Sequence, residues 1–317
     1  MSSREDFEQQ VRLLVSILPI IDAEGIFALK GGTAINLFYR PFPRLSVDID
    51  LLYLPMDDRE TAWKNIKAAF ARIIAGIKQE IPKARIQNTT EQQDVSLQFF
   101  VRVGDVRVKV ELSPVIRGCV FPPQRMMVRE EVEKDFGYAE VLVASHADVY
   151  AGKICAALDR QHPRDLFDVK QLYENEGLTE ELRKTVLVFL ISHFRPMSEL
   201  LNPNRKDIKD IYDTELRPMT TVDVTLVELL ETRERLVADL NQSMTEDERK
   251  FLLSFKNKKP DWPLLGVFNS DAVAQLPSVR WRMINLEKMS ASKHKKYYDK
   301  LADILYPPMV LKPILKQ

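Results

Sequence analysis

Leu29-Lys30-Gly31-Gly32-Thr33, followed by Arg44-Leu45-Ser46-Val47-Asp48-Ile49-Asp50-Leu51, is the stretch that decides the reading of this chain. A glycine pair beside a hydroxyl residue lets backbone N–H groups close on a phosphate. Asp48 and Asp50 lie two apart in an apolar run, so a strand would turn both carboxylates to one face. There they can share a divalent cation. Together the two features point to a nucleoside triphosphate with a metal ion, and so to nucleotidyl or phosphoryl transfer. Each motif alone is weak, because most Asp-X-Asp pairs are simply solvated. The order is more specific: a glycine turn, an acidic strand, then a later strand carrying Glu111.

Outward from that stretch, periodicity supplies the frame. Phe7, Val11, Leu14 and Leu18 recur at helical spacing, which predicts a helix over 5–18 that Pro19 ends or kinks. Phe27-Ala28-Leu29 reads as a short buried strand, Thr33 as the cap of a helix from Ala34 to about Tyr39, and 47–54 as a strand entering the core. A helix follows over 61–81. Strands over 95–102 and 106–113 are joined by a hairpin turn at Val103-Gly104-Asp105. In the second of these, Val106, Val108, Val110 and Leu112 face one way and Arg107, Lys109 and Glu111 the other, the period of a half-buried strand whose polar face can line a site. Residues 114–140 read as irregular, with room for short strands. Ser145-His146-Ala147-Asp148 is a capping box opening a helix to about Arg160. Gln161-His162-Pro163-Arg164 interrupts it, and a second helix runs from near Asp165 to Glu176. Helices are then expected over 178–194, 222–242, 245–256 and 285–305, with a charged loop or short helix over 202–219 and a linker over 258–263. The expected division is a mixed α/β first half, residues 1–177, and a helical second half, residues 178–317.

Composition excludes several classes. The 317 residues hold 46 Lys+Arg against 46 Asp+Glu, with 45% hydrophobic and 29% charged residues, as soluble globular proteins do. No run of about 18 apolar residues argues for a membrane span. The polar start Met1-Ser2-Ser3-Arg4 lacks the apolar centre of a secretory signal. Cys119 and Cys155 form no Cys-X-X-Cys, so neither a disulfide framework nor structural zinc is expected, which fits a reducing cytoplasm. His146, His162, His193 and His294 lack the spacing of a zinc hydrolase. The neutral total hides a local surplus: from Arg280 to Gln317 nine basic residues, Lys312 and Lys316 included, face three acidic ones. Such a segment suits a polyanionic partner as well as it suits a solvated helix face.

Nucleotidyl transfer needs a phosphate cradle, metal-bound carboxylates, and cations for the developing charge. Gly31, Gly32 and Thr33 can supply the first, Asp48 and Asp50 the second, and Glu111 is the best third carboxylate. The order Gly-Gly-Thr, acidic-apolar-acidic, then apolar-acidic-apolar resembles the DNA polymerase-beta-type nucleotidyltransferase superfamily. Lys30-Gly31-Gly32-Thr33-Ala34-Ile35 and Arg44–Leu51 resemble one branch of it, the AbiEii/AbiGii toxin family. That branch comprises the toxin halves of bacterial toxin–antitoxin and abortive infection systems, MenT-like tRNA nucleotidyltransferases among them. The segments Ala151-Gly152-Lys153-Ile154-Cys155, Arg164-Asp165-Leu166-Phe167-Asp168 and Leu276-Pro277-Ser278-Val279-Arg280-Trp281 extend the resemblance over essentially the whole chain.

The resemblance implies a nucleotidyltransferase-type mixed sheet with flanking helices, followed by a mostly helical C-terminal domain. It assigns Gly31, Gly32 and Thr33 to the triphosphate, Asp48 and Asp50 to metal, and Glu111 to the third acidic position. The metal would be Mg²⁺, with Mn²⁺ as substitute. Lys153 would hold phosphate, and Asp165 would orient Lys153 or assist the incoming hydroxyl. Ser46 falls beside the nucleotide, where some MenT-like relatives carry a serine that phosphorylation silences. Plainer readings stand beside these: Lys153 as an exposed helix lysine, Arg164-Asp165 as a helix-start charge pair, Ser46 as a turn hydroxyl. Trp281 reads as core, whereas Arg280, Arg282, Lys293, Lys295 and Lys296 suit a nucleic-acid backbone. The expected activity is transfer of a nucleoside monophosphate from an NTP to a tRNA 3′ end, which inhibits translation, with a cognate antitoxin as partner and no membrane. The alternatives are transfer to a protein hydroxyl and a non-catalytic NTP- or RNA-binding module.

Overall fold

The structure is a computed structural model that describes residues 4–88, 97–267 and 269–307, with the side chains of 4, 88 and 113–115 left aside. The basic residues Lys312 and Lys316 and the start of the strand expected at 95 therefore lie outside the described residues.

One mixed sheet of seven strands organises the first half: β1 (Phe27–Lys30), β2 (Asp48–Tyr53), β3 (Arg85–Asn88), β4 (Leu97–Val103), β5 (Val106–Arg117), β6 (Gln124–Met127) and β7 (Glu140–Val143). Their order is β3-β4-β5-β2-β1-β7-β6. β2 sits near the centre, antiparallel to β1 and parallel to β5, and β7 runs parallel to β1. The period of two then sorts the side chains. Ile49, Leu51, Val110, Leu112, Phe99 and Val101 are buried on one face, while the other face turns its polar residues toward a cleft.

The helices are α1 (Arg4–Asp22), α2 (Gly31–Ala34), α3 (Arg59–Glu80), α4 (Glu130–Phe136), α5 (His146–Asp159), α6 (Pro163–Asn175), α7 (Glu180–Ser192), α8 (Met197–Leu201), α9 (Lys209–Ile211), α10 (Leu226–Ser243), α11 (Glu246–Lys256), α12 (Ser270–Gln275), α13 (Pro277–Glu287) and α14 (Ala291–Leu305). The fold is thus the mixed sheet with flanking helices that the sequence predicts. No helix among the described residues is long and apolar enough to cross a membrane.

Local chemistry explains most boundaries. Asp58 caps α3 by accepting from the Thr61 amide at 3.0 Å, and full capping boxes start α10 at Thr225 and α11 at Thr245. Pro163 occupies the first turn of α6, where a missing N–H leaves nothing unsatisfied.

Four expectations need correction. Pro19 does not end α1, which continues to Asp22. The proline forfeits one N–H, but its carbonyl still accepts from the Ala23 amide at 3.1 Å, so the ladder resumes beyond it. Thr33 is not a cap: α2 begins at Gly31, whose positive φ of 74° makes the turn, and residues Ile35–Tyr39 continue as a π-helix. Residues 114–140 hold the end of β5 as well as β6 and α4, and the span 285–305 is two helices broken at Met289-Ser290.

Candidate active site

Strand register brings the acidic residues together. Asp50 pairs with Lys30 of β1 and with Glu111 of β5, and Asp48 pairs with Lys109. Directly paired residues share a face, so Asp48, Asp50 and Glu111 stand on one patch of the sheet with Lys30 and Lys109. Glu111 is ion-paired to Lys109. Burial raises the Asp48 carboxyl above its usual range; Lys109 pulls it back, while Asp50 and Glu111 push it further. Among the described residues, no group of three His, Cys, Asp or Glu side chains has already converged on a metal position.

The glycine turn is built around this patch. A Cβ on Gly31 would run into the Asp50 carboxylate, and the φ of 74° disfavours any side chain there. A Cβ on Gly32 would stand 2.6 Å from Arg44 Nη2 and 3.1 Å from Ser46 Oγ. The backbone therefore approaches the carboxylates as only glycine allows. Thr33 is fully buried. Its hydroxyl donates to the Asp48 carbonyl and pairs with Ser46 Oγ at 3.0 Å. Thr33 thus ties the turn to β2 from beneath, rather than lining the cleft. Ser46 lines the cleft but is only 8% exposed.

Behind the turn runs a buried chain of charges. Arg44 grips Asp168 with Nε at 2.8 Å and Nη2 at 2.6 Å. Lys153 Nζ lies 3.0 Å from Asp168 and donates to Asp165 at 2.8 Å. Asp165 also accepts from Arg160 Nη2 at 2.9 Å. Burial alone would raise both carboxyls, but the cations outweigh it and hold Asp165 and Asp168 below the usual range. Lys153 and Arg44 are correspondingly held protonated, since the carboxylates outweigh their desolvation. Arg44 is positioned from outside: Leu45 N donates to the Met219 carbonyl at 2.8 Å, and Thr221 N to that of Pro43 at 2.9 Å.

A cleft of ≈ 450 Å³ is lined by the charged Lys30, Asp48, Asp50, Lys109, Glu111 and Arg164 and by the apolar Leu52, Ile116, Val120, Ala156, Phe189 and Leu276. The Asp148 carboxylate fixes its rim by accepting from the Val120 and Phe121 amides at 2.8 and 3.0 Å, while Ser145 caps α5. The box expected at Ser145 is therefore half present, its acidic member clamping a loop instead. Burial, with the Asp148 charge, pushes the Cys119 thiol up to about 12, away from the thiolate form that a nucleophile uses.

Of the residues singled out from sequence, Gly31, Gly32, Ser46, Asp48, Asp50, Glu111, Lys153 and Asp165 all line this cleft. Lys153 is not an exposed helix lysine. Arg44, Asp168, Lys109 and Arg160 also belong to this network of charges and received no role from sequence. Lys109 was legible, because it shares the polar face of its strand with Glu111. Arg44 and Asp168 stand 124 positions apart and announce nothing locally.

Comparison with known proteins adds two findings. Residues 12–282 match the family described as "Nucleotidyl transferase AbiEii toxin, Type IV TA system". Among solved structures, MenT4, a nucleotidyltransferase toxin from Mycobacterium tuberculosis H37Rv, superposes with a TM-score of 0.57 over 94% of this chain and 93% of that one. The two are 14% identical, so that likeness concerns the fold. No curated protein matches the sequence.

Proposed function

The chain belongs to the AbiEii family of nucleotidyltransferase toxins from type IV toxin–antitoxin systems, and on that premise we propose that it transfers a nucleoside monophosphate from an NTP to an RNA 3′ hydroxyl, with tRNA as acceptor. The observation that carries this reading is the register of Asp50 with Glu111, beside Asp48, under a glycine turn that leaves no room for a side chain. These donors suit Mg²⁺ or Mn²⁺: they are hard oxygens, Asp48 is half-buried beside the carboxylates of Asp50 and Glu111, and only the side-chain-free backbone of Gly31 lies against Asp50. Asp48 and Asp50 would hold the ion, and Glu111 would join them on release from Lys109. When bound, the metal supplies charge neutralisation at the reacting phosphate.

The chain's own groups do the rest. Gly31 and Gly32 let the backbone approach the triphosphate. Lys30, Lys109 and Arg164 set a positive field around it. Lys153 is pinned between Asp165 and Asp168 and presents a fixed charge at the cleft wall. With Asp165 holding two cations, its role is to orient Lys153. The reaction forms a phosphodiester bond from the 3′ oxygen to the α-phosphorus and releases pyrophosphate.

The test is where label goes when α-labelled NTP meets the protein with tRNA and total cell protein together. RNA should be labelled. Label confined to protein would replace this acceptor with a protein hydroxyl. Full growth inhibition by Asp48→Ala in cells would instead favour a binding module.

A further inference from the structure

The segment Leu276-Pro277-Ser278-Val279-Arg280-Trp281 has no part in the transfer chemistry, yet it reaches the cleft, which Leu276 and Ser278 both line. It makes the start of α13, whose first turn is left open. Leu276 offers no side-chain cap and Pro277 has no N–H. The first amide with an acceptor is that of Arg280, which donates to the Leu276 carbonyl at 3.0 Å. Trp281 on the same helix is 49% exposed, which corrects its reading as core.

Among the described residues, the Ser278 and Val279 amides and the Ser278 hydroxyl therefore have no partner. Ser278 is only 4% exposed. A buried hydroxyl without a partner is costly, and this one stands at the positive end of a helix of 11 residues, so both features call for an anion. Gly118, just past the end of β5, fixes the place. A Cβ there would stand 2.5 Å from Met56 Sδ and 3.0 Å from Leu276 Cδ2, at a φ of 71°, so only glycine lets the start of α13 pack against the sheet here. The Gly118 amide donates to the Tyr53 carbonyl at 2.8 Å. Tyr53 lies on β2 beyond Asp50, roughly 10 Å along the strand.

We propose that the N-terminus of α13 binds a backbone phosphate of the RNA acceptor through Ser278 Oγ and the Ser278 and Val279 amides. It rests on the RNA-acceptor reading above. Amides at a helix N-terminus hold nucleic-acid phosphates and set the strand's register without reading its sequence. The triphosphate already has its cradle at Gly31 and Gly32, beside Asp50, whereas α13 opens the basic segment that begins at Arg280. That placement favours the acceptor strand over the tail of the nucleotide.

The full chain is tested as wild type, Ser278→Ala and Ser278→Asp, with melting temperatures to confirm folding. Anisotropy of a fluorescent single-stranded RNA gives its Kd, and rates of label transfer give KM for tRNA and for NTP separately. Loss of one hydrogen bond to a charged phosphate in Ser278→Ala should raise the RNA Kd and the tRNA KM about tenfold. Ser278→Asp puts a carboxylate where the phosphate would sit, so it should weaken RNA further. The same carboxylate suits a helix start, so its melting temperature should match or exceed wild type, a split that a merely structural serine would not give. The KM for NTP should stay put in both. If Ser278→Asp melts early, Ser278→Ala decides alone. Labelled RNA with an unchanged RNA Kd and tRNA KM overturns the site alone, and a rise confined to the NTP KM overturns its assignment to the acceptor. A wild-type protein that labels no RNA overturns the acceptor reading, and the site with it.

Discussion

Asp168→Asn is the substitution that most directly probes how the site is held. Asp168 is 1% exposed and sits between two buried cations, Arg44 at 2.8 and 2.6 Å and Lys153 at 3.0 Å. The asparagine keeps the shape but not the charge. Arg44 is then left without its carboxylate, and Lys153 must rely on Asp165, which it shares with Arg160. Removing one member of a buried ion pair costs about 3–5 kcal/mol, because the remaining charge is stranded away from water. Arg160 offers the contrast. It bonds the same network but is 62% exposed, so Arg160→Ala should cost no more than about 1 kcal/mol. Urea unfolding of both variants, compared at constant m, measures the difference. If Asp168→Asn loses less than about 1 kcal/mol, or no more than Arg160→Ala, the buried chain of charges does not hold the site as argued.

Three further outcomes are expected. Asp165 and Asp168 are held low because Lys153, Arg160 and Arg44 outweigh burial, so their stabilising share is complete above about pH 4 and drains as pH falls through the lowered values. The urea midpoint should therefore drop in acid, and drop less in Asp168→Asn. Burial and its acidic neighbours raise Asp48, so its ionised form opposes folding at neutral pH. Asp48→Asn should melt higher than wild type in metal-free buffer and lose the stabilisation that wild type gains from added Mg²⁺, about 2.7 kcal/mol at a hundredfold excess over Kd. A lower metal-free melting temperature in Asp48→Asn would contradict this. Gly31→Ala puts a methyl group against the Asp50 carboxylate at a φ of 74°. It should cost about 1–3 kcal/mol by thermal melting and most of the transfer rate, whereas an active, stable Gly31→Ala protein would show that the close approach is unnecessary.

What the sequence made legible follows from the range of the interactions. Asp48 and Asp50 could be placed on one face because the period of a strand is local. Lys109 and Glu111 followed for the same reason. That Glu111 lands beside Asp50 depends on the register of two parallel strands some sixty positions apart, which no local pattern encodes. The partners of Lys153 were half legible: Asp165 and Asp168 stand on one face of the next helix, whereas Arg44 reaches Asp168 only because residues 43–45 are tied to 219–221. Thr33 misled because a hydroxyl after a glycine pair suits a cap as well as a buried tie. Gly31 at positive φ lets α2 start three residues earlier. Trp281 misled through its size: a large apolar ring predicts core, but position on α13 decides exposure.

The central claim is that nucleotide transfer occurs on the Asp48–Asp50–Glu111 face. It is tested most directly by incubating the protein with Mg²⁺, each α-labelled NTP in turn, and total tRNA, alongside Asp48→Ala, and counting pyrophosphate released per labelled RNA end. The account predicts labelled 3′ ends with one pyrophosphate for each nucleotide added by the wild type, and neither product from Asp48→Ala. Labelled RNA from Asp48→Ala at the wild-type rate would contradict it.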